Sequence, residues 1–352
     1  MKKTTYLFII FTLALSIQLN GQERSGFKIT GSIPGLPDSD MFLAYMVGGK
    51  QVTDTVAVKG GEFTFEGSIE YPSVSMLFNS NYSVQRLFLL DNSLIEMKGI
   101  YGPPAKISVT GAKNQTEFED LEKQVQDNRS AVIAASERGD KKLSDSLYRY
   151  EERIILNFVK SHPDSYYSAN QLYYHSSEKN LEEVAALYDN LTERVKNSMD
   201  GKNVAERIAT LKLVKVGLKA LDFTQKDTLG KDVHLSDYKG KYVLLEFWAS
   251  WCGPCRAEGP NIYKAYQKFK DSGLIILAVS LDKDAAQWKK AIVKDNLPWI
   301  HVSDLKYYKN EVAELYGVHA IPANFLISPE GKIIAKDLRG EKLHEVLGQI
   351  FK

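Results

Sequence analysis

The sequence predicts an α/β domain at the C-terminus, a mixed sheet covered by helices, preceded by a β-sandwich-like domain and a helical segment. Three observations carry this reading. From Phe27 to Val109, short apolar runs alternate with turn signals. From Thr116 to Val216 the apolar residues recur with a period of about 3.6. Beyond Gly217, buried strand runs alternate with helical stretches. A chain of 352 residues exceeds one typical domain, so two or three are expected.

Residues 1–21 have the form of a secretory signal peptide. Met1-Lys2-Lys3 is basic, Leu7 to Ile17 is a nearly unbroken apolar core, and Gln18 to Gly21 is a polar exit, with cleavage expected near Gly21-Gln22. The core is too short for a comfortable membrane span. No cysteine stands at the cleavage site to carry a lipid, so a soluble protein of the periplasm or cell envelope is expected. The formal charge of +1 offers no basic field for nucleic acid or anionic lipid.

Residues 26–112 read as an antiparallel β-rich domain. Its strand runs are Phe27-Ile29, Met41-Tyr45, Thr55-Val58, Phe63-Ile69, Val74-Phe78, Arg86-Leu90, Leu94-Lys98 and Lys106-Val109. Pro34-Gly35, Gly48-Gly49, Gly60-Gly61 and Pro103-Pro104 supply turns between them. Asp38, Asp40 and Asp54 match no EF-hand spacing and read as solvated turn carboxylates.

Residues 116–216 read as a helical linker domain. Phe118, Leu121, Val125 and Val132-Ile133 share one helix face, and Leu147, Tyr150, Ile154-Ile155 and Phe158 share another. His162-Pro163-Asp164-Ser165 ends the second helix and caps the next, whose tyrosines Tyr166, Tyr167, Tyr173 and Tyr174 have the spacing of core and interface positions.

Residues 217–352 hold the chemistry. Tyr242 to Phe247 is a buried strand, Ala249-Ser250 a turn, and Cys255 to Asp271 a helix. The chain's two cysteines, Cys252 and Cys255, flank Gly253-Pro254 at that junction. A sulfur at a helix N-terminus faces unpaired N–H groups and the positive end of the macrodipole, which favour the thiolate. Cys255 follows within one turn, in reach of a disulfide but deeper. Pro254 has no N–H to leave unsatisfied in the first turn. Zinc would need two more ligands, and the six histidines show no H-x₃₋₅-H pairing. A purely structural disulfide over so short a loop constrains the unfolded chain little. A redox pair that needs no cofactor is the reading these residues favour.

The segment EFWASWCGPCRAE resembles the active site of the thioredoxin superfamily, and is similar in particular to envelope thiol-disulfide oxidoreductases of the TlpA/ResA type. Tyr316-Gly317-Val318-His319-Ala320-Ile321-Pro322 resembles the segment ending in a cis-proline that faces the cysteines, and Pro260 matches the proline that kinks the active-site helix. Residues 26–112 are similar to the small β-domain found ahead of such modules in Bacteroidetes envelope proteins. Leu221 stands where that group usually has proline, and Ala323 where thioredoxin has threonine.

The resemblance implies a thioredoxin fold with Cys252 as nucleophile and Cys255 as resolving thiol. Trp251, Gly253, Pro254, Ile321 and Pro322 would shape the substrate groove, with the Ile321 backbone pairing to an extended substrate. Trp248 belongs to the core and Arg256 to the surface. Glu246 would be a buried proton acceptor for Cys255, its pKa raised by desolvation, and Glu258 a second acid near the pair. Disulfide-bonded envelope proteins, apocytochrome c among them, are the implied substrates, and a membrane thiol reductase of the DsbD/CcdA kind the implied electron donor. Two alternatives come from other classes. One is a peroxiredoxin-like peroxidase, disfavoured because that chemistry usually places T-x-x-C at the helix start. The other is a ligand-binding protein whose redox module acts as a clamp.

Overall fold

The computed structural model describes residues 26–102 and 105–352. The signal-peptide reading and the Pro103-Pro104 turn lie outside the described residues. The chain divides into two compact units at Ala131/Val132.

The first unit is built from eight strands: β1 (Phe27–Ser32), β2 (Ser39–Val47), β3 (Lys50–Val58), β4 (Glu62–Gly67), β5 (Ser73–Asn79), β6 (Gln85–Leu90), β7 (Leu94–Ile100) and β8 (Lys106–Thr110). They form two four-stranded sheets, ordered β4-β1-β7-β8 and β3-β2-β5-β6. Strand alternation sends Ile29, Phe63, Phe65, Ile95 and Met97 from one sheet into a core shared with Met41, Leu43, Leu77 and Phe88 from the other. The expectation of a wholly antiparallel domain needs one correction, since β1 and β7 pair in parallel, Lys28 opposite Leu94. A parallel pair cannot be closed by a hairpin. Here the long connection is β2 to β6, which supplies the whole second sheet and also β4.

Helix α1 (Gln115–Glu137) runs across the division. The second unit continues with α2 (Lys141–Ser161), α3 (Tyr166–His175), α4 (Leu181–Asn190), α5 (Glu193–Lys196) and α6 (Met199–Leu213). Asp140 caps α2 by accepting the Leu143 N–H. The apolar face of α2 is Ile155, Leu156, Phe158 and Val159, and Tyr150 is 58% exposed rather than buried. Tyr150 lies a turn N-terminal to that packed stretch. In α3, Tyr166 and Tyr167 are core, whereas Tyr174, in the last turn, is exposed.

The remaining elements are the β9 (Thr224–Lys226) and β10 (Asp232–His234) hairpin, β11 (Tyr242–Trp248), α7 (Gly253–Phe269), β12 (Leu274–Ser280), α8 (Ala285–Lys294), β13 (Ile300–Val302), α9 (Glu311–Leu315), β14 (Ala323–Ile327), β15 (Ile333–Lys336) and α10 (Glu341–Ile350). The five-stranded sheet has the order β13-β12-β11-β14-β15, with β11 central, parallel to β12 and antiparallel to β14. This is the thioredoxin fold. Val243, Leu245 and Phe247 enter one core, while Leu244 packs with Ile262, Ala265 and Phe269 of α7 on the other face. Among the described residues, no helix is long and apolar enough to cross a membrane.

Candidate active site

Strand β11 delivers the chain to the C-terminal edge of the sheet, where open α/β sheets place their ligands. Cys252 is the N-cap of α7, followed by Gly253 and Pro254 in the first turn. Cys252 and Cys255 are joined with an S–S distance of 2.03 Å. Cys252 Sγ accepts the Cys255 backbone N–H at 3.2 Å, one of the helix's unpaired donors. The Ile321-Pro322 bond is cis, and the Ile321 carbonyl oxygen lies 3.8 Å from Cys252 Sγ. The two cysteines and the Ile321-Pro322 step therefore form one cluster. Cys252 is less open than expected of an attacking thiol. In the disulfide form it is 5% exposed against 2% for Cys255, so position on the helix distinguishes them more than accessibility does.

Glu246 shares the strand face of Leu244, the side covered by α7, and is buried. Desolvation, reinforced by the charge of Glu258, pushes its pKa up to about 8. Glu258 is half-buried, and its Oε1 accepts from Asn261 Nδ2 (2.6 Å) and the Gly340 N–H (2.8 Å). It ties α7 to the turn before α10, and its charge is felt at Glu246. Trp251 is 45% exposed at the rim. Trp248 is core, as expected, with its ring 5.4 Å from that of His301. Arg256 departs from the surface reading, because a two-pronged ion pair to Asp295, both contacts 2.6 Å, leaves it only partly exposed.

Two parts of the site had no motif to announce them. Asp282, 1% exposed, accepts from the Ser250 N–H (2.9 Å), Ser250 Oγ (2.5 Å) and Ser280 Oγ (2.7 Å), and so fixes the turn before Cys252. The available signal was an acid just past the apolar run of β12, at the sheet's ligand edge. The second part is Tyr307 and Tyr308, whose rings lie 5.1 and 5.9 Å from that of Trp251. They come from an irregular stretch in which Leu305 and Tyr307 have positive φ. Asp282→Ala should leave the part-buried Ser250 donors and the buried Ser280 hydroxyl unmatched, costing about 3 kcal/mol. Urea denaturation checks this, and a loss within experimental error would show that the turn holds without it.

Chemically, the cluster can exchange one disulfide for another. Among the described residues no group of His, Cys, Asp or Glu could hold a metal ion. The comparisons with known proteins agree with that chemistry. A family model described as AhpC/TSA matches residues 216–336, and one described as a domain of unknown function, DUF4369, matches residues 27–118. The thiol-disulfide oxidoreductase ResA of Bacillus thuringiensis subsp. konkukian is 34% identical over 139 residues, spanning 40% of this chain and 78% of the relative. ResA of Bacillus subtilis is 38% identical over 120 residues, 34% of this chain and 64% of the relative. A crystal structure of the thioredoxin domain of a thiol-disulfide oxidoreductase from Bacteroides vulgatus is 40% identical, covers 39% of this chain and 99% of its own, and gives a TM-score of 0.38. By its C-terminal domain, the chain belongs to the ResA family of thiol-disulfide oxidoreductases.

Proposed function

We propose that this oxidoreductase is exported to the cell envelope and works there as a reductase of protein disulfides, with apocytochrome c a candidate acceptor. Cys252 thiolate attacks a substrate disulfide, one substrate sulfur leaves as thiolate, and a mixed disulfide forms. Cys255, losing its proton to Glu246, then attacks Cys252 Sγ and releases the second substrate sulfur. The oxidised protein is recharged by a membrane thiol reductase of the DsbD/CcdA kind.

The observation that carries the direction is the pair of interacting acids, Glu246 and Glu258, on the α7 side of the sheet. Glu258, joined by Glu246 once pH passes about 8, would put negative charge on the α7 side, and charge of that sign opposes a neighbouring thiolate and makes the reduced form a better electron donor. Gly253-Pro254 supports the same sense. It is the dipeptide of thioredoxin, whose potential is about −270 mV against about −120 mV for the oxidant DsbA, a gap of roughly 7 kcal/mol. The Ile321 carbonyl beside Cys252 offers an extended substrate segment a backbone acceptor.

Equilibration with glutathione tests the direction. A potential near that of thioredoxin is expected, and one above about −150 mV would class the protein with the oxidants. Insulin reduction without peroxide consumption is the companion result, and the reverse pattern would favour the peroxidase.

A further inference from the structure

Within the second unit, a cleft of about 950 Å³ opens between the helical segment and the loop that leads to Pro322. Named contacts hold its two walls together. Arg207 of α6 donates from Nη1 to the Gly317 carbonyl (3.2 Å) and from Nη2 to the Ser176 carbonyl (2.6 Å). Tyr173 Oη of α3 lies 3.1 Å from His319 Nδ1. Gly317 has φ +64°, and a Cβ there would stand 3.1 Å from Thr210 Cγ2, so the loop lies close against α6. Lys336 pairs with Glu178 at 2.8 Å. The helical segment is thus part of the frame that sets the loop carrying Ile321 and Pro322.

The cleft is electrostatically one-sided. Lys179, Arg207, Lys336, Arg339 and Lys342 line it, opposed by Glu178 and Asp337, which leaves three cations in excess. Desolvation and the Arg207 charge push His319 down to about 4, so it adds no positive charge at neutral pH, although part of the residue stays open to solvent. Lys179 and Lys342, from opposite walls, are exposed and free to turn toward an occupant. Pro322 stands at the end of the cleft nearest the disulfide, since the carbonyl of the preceding Ile321 is 3.8 Å from Cys252 Sγ.

We propose that this cleft is a peptide subsite that receives an extended, acidic segment of the protein substrate flanking its disulfide. The inference rests on the reading of the chain as a reductase of protein disulfides. Like-signed charges in a concave site raise the encounter rate of an oppositely charged partner and repel a basic one, and added salt weakens both effects. The substrate class is accordingly a folded or partly folded protein with Asp and Glu beside its disulfide.

The test uses the full-length reduced protein and matched disulfide-bridged peptides with acidic, neutral or basic flanks, with oxidised glutathione as a small disulfide. At low salt, kcat/KM for the acidic peptide should exceed that for the basic one by at least about tenfold, and the ratio should shrink at high salt. The double variant Lys179→Glu/Lys342→Glu, both exposed positions, should bring the ratio below one. A ratio near one in the parent protein, or one unchanged by the double variant, would overturn the subsite while leaving the reductase reading standing. Failure to reduce any of these disulfides, glutathione included, would overturn the reductase reading and the subsite with it.

Discussion

Cys252→Ser is expected to lower disulfide reduction by more than about a thousandfold, as removal of a covalent nucleophile does. The reason lies in the N-cap. Cys252 Sγ already accepts a helix N–H at 3.2 Å, an arrangement that stabilises a thiolate and that a serine hydroxyl cannot use for sulfur exchange. Cys255→Ser should behave differently, keeping the attack but losing the resolving step, so that mixed disulfides accumulate. Non-reducing electrophoresis and peptide mapping read both outcomes. In the reduced parent protein, alkylation at neutral pH should reach Cys252 before Cys255. Mixed disulfides trapped by Cys252→Ser and not by Cys255→Ser would exchange the two roles.

The second large effect is expected at Glu246. Its carboxyl is raised to about 8 by burial and by Glu258, whereas in the unfolded chain it ionises near its model value of 4.5. Between those two values the folded state holds a proton that the unfolded state has released, so the stability slope with pH is negative. The contribution of this group to stability should fall as pH rises from 4.5 toward 8 and then level off, while His301 and His319, both pushed down to about 4 by burial, contribute a rise that is complete by about 6.5. The full difference is about 5 kcal/mol at roughly 1.4 kcal/mol per pH unit. Glu246→Gln keeps the shape without the titration, so it should flatten this dependence and make the protein more stable at alkaline pH. It should also slow resolution of the mixed disulfide by about a hundredfold, because the acceptor proposed for the Cys255 proton would be gone. In the parent protein that step should accelerate with pH up to about 8. Chemical denaturation across pH and single-turnover kinetics measure the two effects. A variant with the parent's pH slope would show that another group carries the titration.

The local parts of the site were legible because they are contiguous in the chain. Strand, turn, Cys252 and helix follow one another without interruption, and the apolar run with one acid inside it already placed Glu246 in the interior. Asp282 was not legible, because its function is to meet Ser250 from a neighbouring strand end, and no spacing rule records that pairing. Tyr307 and Tyr308 were hidden for the same reason, as they reach Trp251 from an irregular stretch after β13. Arg256 looked like a solvated helix residue until Asp295, beyond α8, came into reach. In the first unit all eight strand runs could be read from alternation and turns, yet the parallel β1–β7 pairing could not. Alternation fixes which side chains face the core and says nothing about which strand lies alongside.

That parallel pairing has a consequence for how the chain is made. β1 emerges first but occupies an interior position of its sheet, with β4 on one side and β7 on the other. Its β4 side can be satisfied early, while its β7 side stays an open row of N–H and C=O groups until Leu94–Ile100 has been synthesised. An unpaired strand carrying Phe27 and Ile29 is a template for another chain. Nascent chains halted before Leu94 should therefore self-associate, and those extended through Thr110 should not. Strand appearance and strand pairing follow different orders, and the sheet closes only when its late strands arrive to flank its first.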